Sequence, residues 1–195
     1  MLTIDLLRHG ELEGGNRYRG RCDDQLTAEG RHAIDRVWHK IGDQVDRVIC
    51  SPLQRCRLPA AEWAEASNSP LQVDQRLQEL HYGAWEGKTM AEIALTHHDL
   101  LKQWRCDPTG MTPPEGESME RFEQRLREFW QQLINSSDNM RVLLLGHSGV
   151  NRTLLAIALQ TTLASSRRLV MPYACWSQIQ YINGSAQLAF HNRQP

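Results

Sequence analysis

Two short stretches of this chain hold residue types suited to moving a phosphoryl group or a proton. Arg8-His9-Gly10 follows the run Thr3 to Leu7, and Gly146-His147-Ser148-Gly149 follows the apolar run Val142 to Leu145. Each run reads as a buried strand, and in an open α/β sheet ligands bind in the crevice beyond the carboxyl ends of the strands. If the two strands are neighbours, both imidazoles point into one crevice. A histidine that attacks phosphorus needs one unprotonated ring nitrogen, with the other held by an acceptor that fixes the tautomer. Arg8 predicts an anionic ligand, most simply a phosphate, gripped by the guanidinium fork. Gly10 reads as leaving room for that phosphate. His147 reads as a second cationic donor, stabilising charge that develops in the transition state.

Two further stretches supply candidates. In Ser51-Pro52-Leu53-Gln54-Arg55, Arg55 falls in the first turn of a helix that starts where a strand ends. Its guanidinium, helped by the positive end of the helix dipole, can reach the same crevice. Arg57 reads as solvated. The loop Glu79-Leu80-His81-Tyr82-Gly83-Ala84-Trp85-Glu86-Gly87 mixes carboxylates with aromatics. A carboxylic acid held against aromatic surface has its pKa raised and can protonate a leaving alkoxide, so Glu79 and Glu86 are both candidates. Ser148 is not a hydrolase nucleophile, because Val150 stands where G-x-S-x-G requires glycine. His32, His39, His97, His98 and His191 read as surface or packing residues.

The elements that must position these groups follow from periodicity and punctuation. Thr27 caps a helix that ends at Gly42, and Arg47 to Cys50 forms a second strand. A helix covers about Leu53 to Ala66, Leu71 to Val73 is a short strand, and the capping box Thr89-x-x-Glu92 opens a helix toward His97. Asp107 to Glu117 holds Pro108, Pro113 and Pro114 and must be a loop. Arg121 to Ile134 is an amphipathic helix whose Phe122, Leu126, Phe129, Trp130 and Leu133 form a core stripe. Thr153 to Leu159 is helical, and Trp176 to Ile182, Asn183-Gly184 and Gln187 to Phe190 form a hairpin. Strands alternating with helices predict a three-layer α/β/α domain spanning 1–195, its mostly parallel sheet covered by helices on both faces.

Composition narrows the class. The chain has 195 residues, 41% apolar and 23% charged, with a formal net charge of −1, enough for one core and no polycation to grip nucleic acid. No run suits a bilayer or a secretory leader, and the scattered cysteines lack zinc-site spacing. The expectation is a cytoplasmic protein with reduced thiols, no nucleic-acid or membrane partner, no metal and no cofactor; the pattern leaves its oligomeric state open.

With these residues in place, the chain resembles the histidine phosphatase superfamily, the phosphoglycerate-mutase-like fold. The ordered set consists of Arg8-His9-Gly10, Gly20-Arg21-Cys22-Asp23 through Gly30, Ser51-Pro52-Leu53-x-Arg55, Glu79 through Gly87, Pro114-Glu115-Gly116-Glu117-Ser118 and Gly146-His147-Ser148-Gly149. The resemblance implies that His9 is the nucleophile and becomes phosphohistidine, and that Arg8, Arg55 and His147 complete the phosphate pocket. It selects Glu79 over Glu86 as proton donor and, afterwards, as the base that activates water. It places Asn16, Tyr18, Gly20, Tyr82 and Ser148 along the substrate path. Within the family the chain looks most like α-ribazole phosphatases, with a broad-specificity sugar-phosphate phosphatase or mutase-like enzyme as the alternative. Mutases carry extra basic residues in mid-chain, which the stretch around Trp104-Arg105-Cys106-Asp107 lacks. Leu12 stands where many members have Ser or Thr, and the asparagine that often follows is displaced to Asn16.

Overall fold

A computed structural model describes residues 1–136 and 139–194. Six strands form one sheet in the order β3-β2-β4-β1-β5-β6: β1 is Leu2–Arg8, β2 Arg47–Cys50, β3 Leu71–Val73, β4 Arg141–Gly146, β5 Trp176–Ile182 and β6 Ser185–Arg193. The first four are parallel, and β5 and β6 join antiparallel at the β1 edge. The β5–β6 turn holds Asn183 and Gly184 at φ 50° and 82°, the left-handed pair that a two-residue hairpin requires.

Residues 4–7 of β1 and 142–146 of β4 are buried, Asp5 being the one polar side chain among them, because helices cover both faces. Successive residues point to opposite faces. Leu2, Ile4 and Leu6 join one core with Val142 and Leu144. That core is closed by α3 (Met90–Cys106), α4 (Met119–Ser136) and α5 (Ser148–Ala158). Leu7, Val48, Leu143 and Leu145 join the other with α1 (Ala28–Ile41) and α2 (Gln54–Ser67), where Trp38 stacks on Trp63. The expected three layers are therefore present. Asp5 is tolerated at the sheet centre because Arg141, Trp176 Nε1 and Gln178 donate to its carboxylate.

Several boundaries differ from the sequence reading. The helix placed at Thr153 begins at Ser148, directly after His147, because its first turn is anchored by the site rather than by propensity. The helix opened by the Thr89 capping box does not stop near His97. It breaks there, at φ −137°, and resumes to Cys106. The amphipathic helix gains a turn's edge at its start, from Met119. A four-residue helix α6, Leu163–Ser166, follows α5. All five cysteines are free, with Cys22 and Cys106 exposed. Among the described residues, no helix is long and apolar enough to cross a membrane.

Candidate active site

Parallel pairing of β1 with β4 sets Arg8 opposite Gly146, and the His9 backbone N–H donates to the Gly146 carbonyl at 2.9 Å. His9 and His147 therefore leave the same end of adjacent strands, their rings 5.3 Å apart. Both are buried. His9 Nδ1 lies 2.7 Å from the Gly10 carbonyl. A carbonyl only accepts, so Nδ1 carries the proton and Nε2 keeps its lone pair. Burial, reinforced by Arg8 and Arg55, holds the His9 pKa well below the ordinary imidazole value. His9 is thus a neutral imidazole with one tautomer.

His147 is also neutral here. Burial, then Arg55, pushes its pKa well below the usual range. Arg55 Nε donates toward its Nδ1 at 3.4 Å, and its Nε2 donates to Ser51 Oγ at 2.7 Å. The expected second cation is therefore a neutral ring in this structure, because an imidazolium would be desolvated beside guanidinium charge.

Arg55, at the start of α2, is anchored by the carbonyls of Cys22 and Gly20 at 2.6 and 2.9 Å and by Asp23 at 3.3 Å. Arg8 donates to the Met171 carbonyl at 2.6 Å and stacks 4.0 Å over Tyr173, leaving its buried Nε without an acceptor. Glu79 is buried; its carboxylate accepts from the backbone N–H groups of Leu80 at 3.0 Å and Gly149 at 2.9 Å. The second bond seats Glu79 at the N-terminus of α5, beside the His147 loop. Glu86 has a different task. Its carboxylate accepts from the N–H groups of Arg21, Cys22 and Tyr82. Burial pushes its pKa up, and those donors outweigh it, so the pKa is lowered.

The cleft over His9 has a volume of about 150 Å³ and is lined by Arg8, Leu12, Tyr18, Glu79, Tyr82, Ser148 and Tyr173 among others. Asn16 is exposed and does not line it. Gly20 is buried under the 79–87 loop, where a Cβ would meet the Leu80 carbonyl at 2.1 Å. It does not line the cleft, and its carbonyl anchors Arg55. Gly10 makes room for backbone, since a Cβ there would lie 1.9 Å from the Gly30 carbonyl oxygen. His32, His39 and His98 are exposed, His97 packs edge-on against Trp85, and His191 bonds Ser177. Arg57 is exposed. Tyr173 and Ser51 were not anticipated as parts of the site. Tyr173 could have been found by placing the hairpin beside β1, since the residues before β5 then lie at the carboxyl end of β1.

Residues 4–194 match the model of the histidine phosphatase superfamily, branch 1. This chain belongs to that family. It is a phosphatase, a phosphoric monoester hydrolase acting on phosphorylated small molecules. It is 31% identical over 197 residues to the adenosylcobalamin/α-ribazole phosphatase of Salmonella typhimurium, covering 98% of this chain and 96% of that protein. Among solved structures, a mycobacterial glucosyl-3-phosphoglycerate phosphatase superposes with a TM-score of 0.87 at 27% identity, covering 99% of each chain. Bacillus stearothermophilus YhfR superposes with a TM-score of 0.89 at 27% identity, covering 97% of this chain and 96% of that one.

Proposed function

We propose that this histidine phosphatase hydrolyses its ester in two steps through His9. In the first, His9 Nε2 attacks phosphorus in line while Glu79 gives its proton to the departing alkoxide. In the second, Glu79 takes a proton from water, whose oxygen attacks the phosphohistidine and releases inorganic phosphate. Arg8 and Arg55 offset the phosphoryl charge, and His147 gains reason to protonate once a dianion lies beside it. The observation that carries this reading is the His9 Nδ1 bond to the Gly10 carbonyl at 2.7 Å, which leaves Nε2 as the free lone pair of a buried, neutral ring.

For the substrate we propose α-ribazole 5′-phosphate or adenosylcobalamin 5′-phosphate. The similarity to the Salmonella enzyme supports it. So does the cleft wall, where Leu12, Tyr18, Tyr82 and Tyr173 offer apolar and aromatic surface to a heteroaromatic nucleoside. Phosphate release from α-ribazole 5′-phosphate is compared with release from p-nitrophenyl phosphate, in excess chelator. Selective release from the ribazole ester is the expected result. Release from the aryl ester alone would keep the histidine chemistry and discard the substrate.

A further inference from the structure

Arg8 and Arg55 are held in opposite ways. Arg55 is gripped by its edges, where the Cys22 and Gly20 carbonyls and the Asp23 carboxylate accept from its guanidinium. Arg8, which lines the cleft beside His9, pairs with no carboxylate among the described residues. Its guanidinium donates from Nη1 to the Met171 carbonyl at 2.6 Å, and its buried Nε has no acceptor. One bond at one nitrogen does not fix a plane. The Tyr173 ring supplies the second constraint, with the guanidinium carbon 4.0 Å over its centroid.

The chain before β5 is shaped to deliver that ring. The Arg8 backbone N–H donates to the Cys175 carbonyl at 3.0 Å, and the Ala174 N–H donates to the His9 carbonyl at 3.1 Å. Between Tyr173 and Cys175 the chain turns through Ala174 at φ 53°. A left-handed residue other than glycine is costly and persists where surrounding contacts hold it. The same turn sets the Tyr173 ring 5.7 Å from the His9 ring, so it borders the nucleophile as well as the arginine.

A carboxylate in place of this ring would occupy the in-plane N–H donors that a phosphate needs and would cancel their charge. An aromatic ring occupies only the face of the guanidinium and leaves those donors free. We propose that Tyr173 is a positioning residue for Arg8, fixing the guanidinium plane so that its unpaired edge meets the phosphoryl oxygens. The inference rests on the reading that places the phosphate beside Arg8 and His9.

The test compares Tyr173→Phe, which keeps a ring face, with Tyr173→Leu, which keeps an apolar side chain without one. Two quantities are measured on the full chain: kcat/KM for p-nitrophenyl phosphate, and the inhibition constant of inorganic phosphate, which has no leaving group. Tyr173→Phe is expected to stay within about twofold of wild type, and Tyr173→Leu to worsen both quantities about tenfold, the size of one desolvated cation–π contact. Pentafluorophenylalanine in place of Tyr173 keeps the shape of Phe but reverses the charge on the ring face. It should weaken phosphate as Tyr173→Leu does, whether or not the leucine variant folds. A loss of kcat/KM with an unchanged phosphate constant would overturn the proposal, because Tyr173 would then act on the leaving group. So would wild-type values in Tyr173→Leu, equal losses in Tyr173→Phe and Tyr173→Leu, or a fluorinated variant that matches Tyr173→Phe. An unchanged phosphate constant in Arg8→Met would instead sink the placement of the phosphate beside Arg8, and the proposal with it.

Discussion

At the scale of single residues, the chemistry depends on keeping His9 neutral. Its pKa is held well below the ordinary imidazole value by burial and by Arg8 and Arg55. The proton that would disable the nucleophile therefore binds only in acid. The acid limb of kcat/KM, which reports the free enzyme, is expected below about pH 6.5, the ordinary histidine value. A pH profile measured from 4.5 to 8.5 checks this, and a limb at or above the ordinary value would contradict it. The residue types were legible in the sequence because both histidines end apolar runs. The protonation state of His147 was not, because it depends on Arg55 and Ser51, which come from a different strand and helix. Nor was the division of labour between Glu79 and Glu86 legible from composition. Both are acids in one loop, and only the fold shows Glu86 occupied by three backbone donors.

At the scale of elements, the α5 N-terminus couples the proposed acid to the histidine loop. A Cβ on Gly149 would lie 2.5 Å from Glu79 Oε1. The obstructed atom is the end of a flexible side chain, so the fold can yield and the carboxylate moves instead. Gly149→Ala is expected to keep the melting temperature within a few degrees. It should lower kcat by on the order of 100-fold, as ångström-scale misplacement of a catalytic group does. Differential scanning fluorimetry with steady-state kinetics reads both quantities; wild-type kcat with a shifted melting point would reverse the argument. The same coupling explains why the start of α5 was misplaced. Ser148 and Gly149 are weak helix formers, and tertiary contacts with the site override their propensity. The strands were legible because β1, β2 and β4 are short runs buried on both faces. The second half of α3 was not, because His97 breaks the helix and the periodicity restarts out of phase.

At the scale of the whole molecule, two buried neutral histidines tie stability to pH. The unfolded chain protonates His9 and His147 near pH 6.5, while burial lowers both folded pKa values. Their contribution is therefore fully present above pH 6.5 and is lost as pH falls from there toward the folded values. The slope while both stay neutral in the fold is roughly 1.4 kcal/mol per pH unit for each histidine. Urea midpoints at pH 7.5, 6.5 and 5.5 should be nearly level over the first interval and fall over the second; a midpoint that rises on acidification would contradict the burial argument. The layered architecture was legible because strands and helices alternate along the chain. Which loops meet over the sheet was not fully legible, because Asn16 and Gly20 sit in the same polar segment as Tyr18. Of the three, only Tyr18 lines the cleft.

The central claim is a phosphoryl group carried on His9. The direct measurement mixes the protein with ³²P-labelled ester, quenches in alkali within milliseconds, and maps the label by peptide mass spectrometry. A phosphoramidate survives alkali and is lost in acid, so the expected result is an alkali-stable, acid-labile label on the peptide containing His9. It should be absent in His9→Ala together with nearly all turnover. Turnover without label on His9, or most of the rate retained in His9→Ala, would contradict the account.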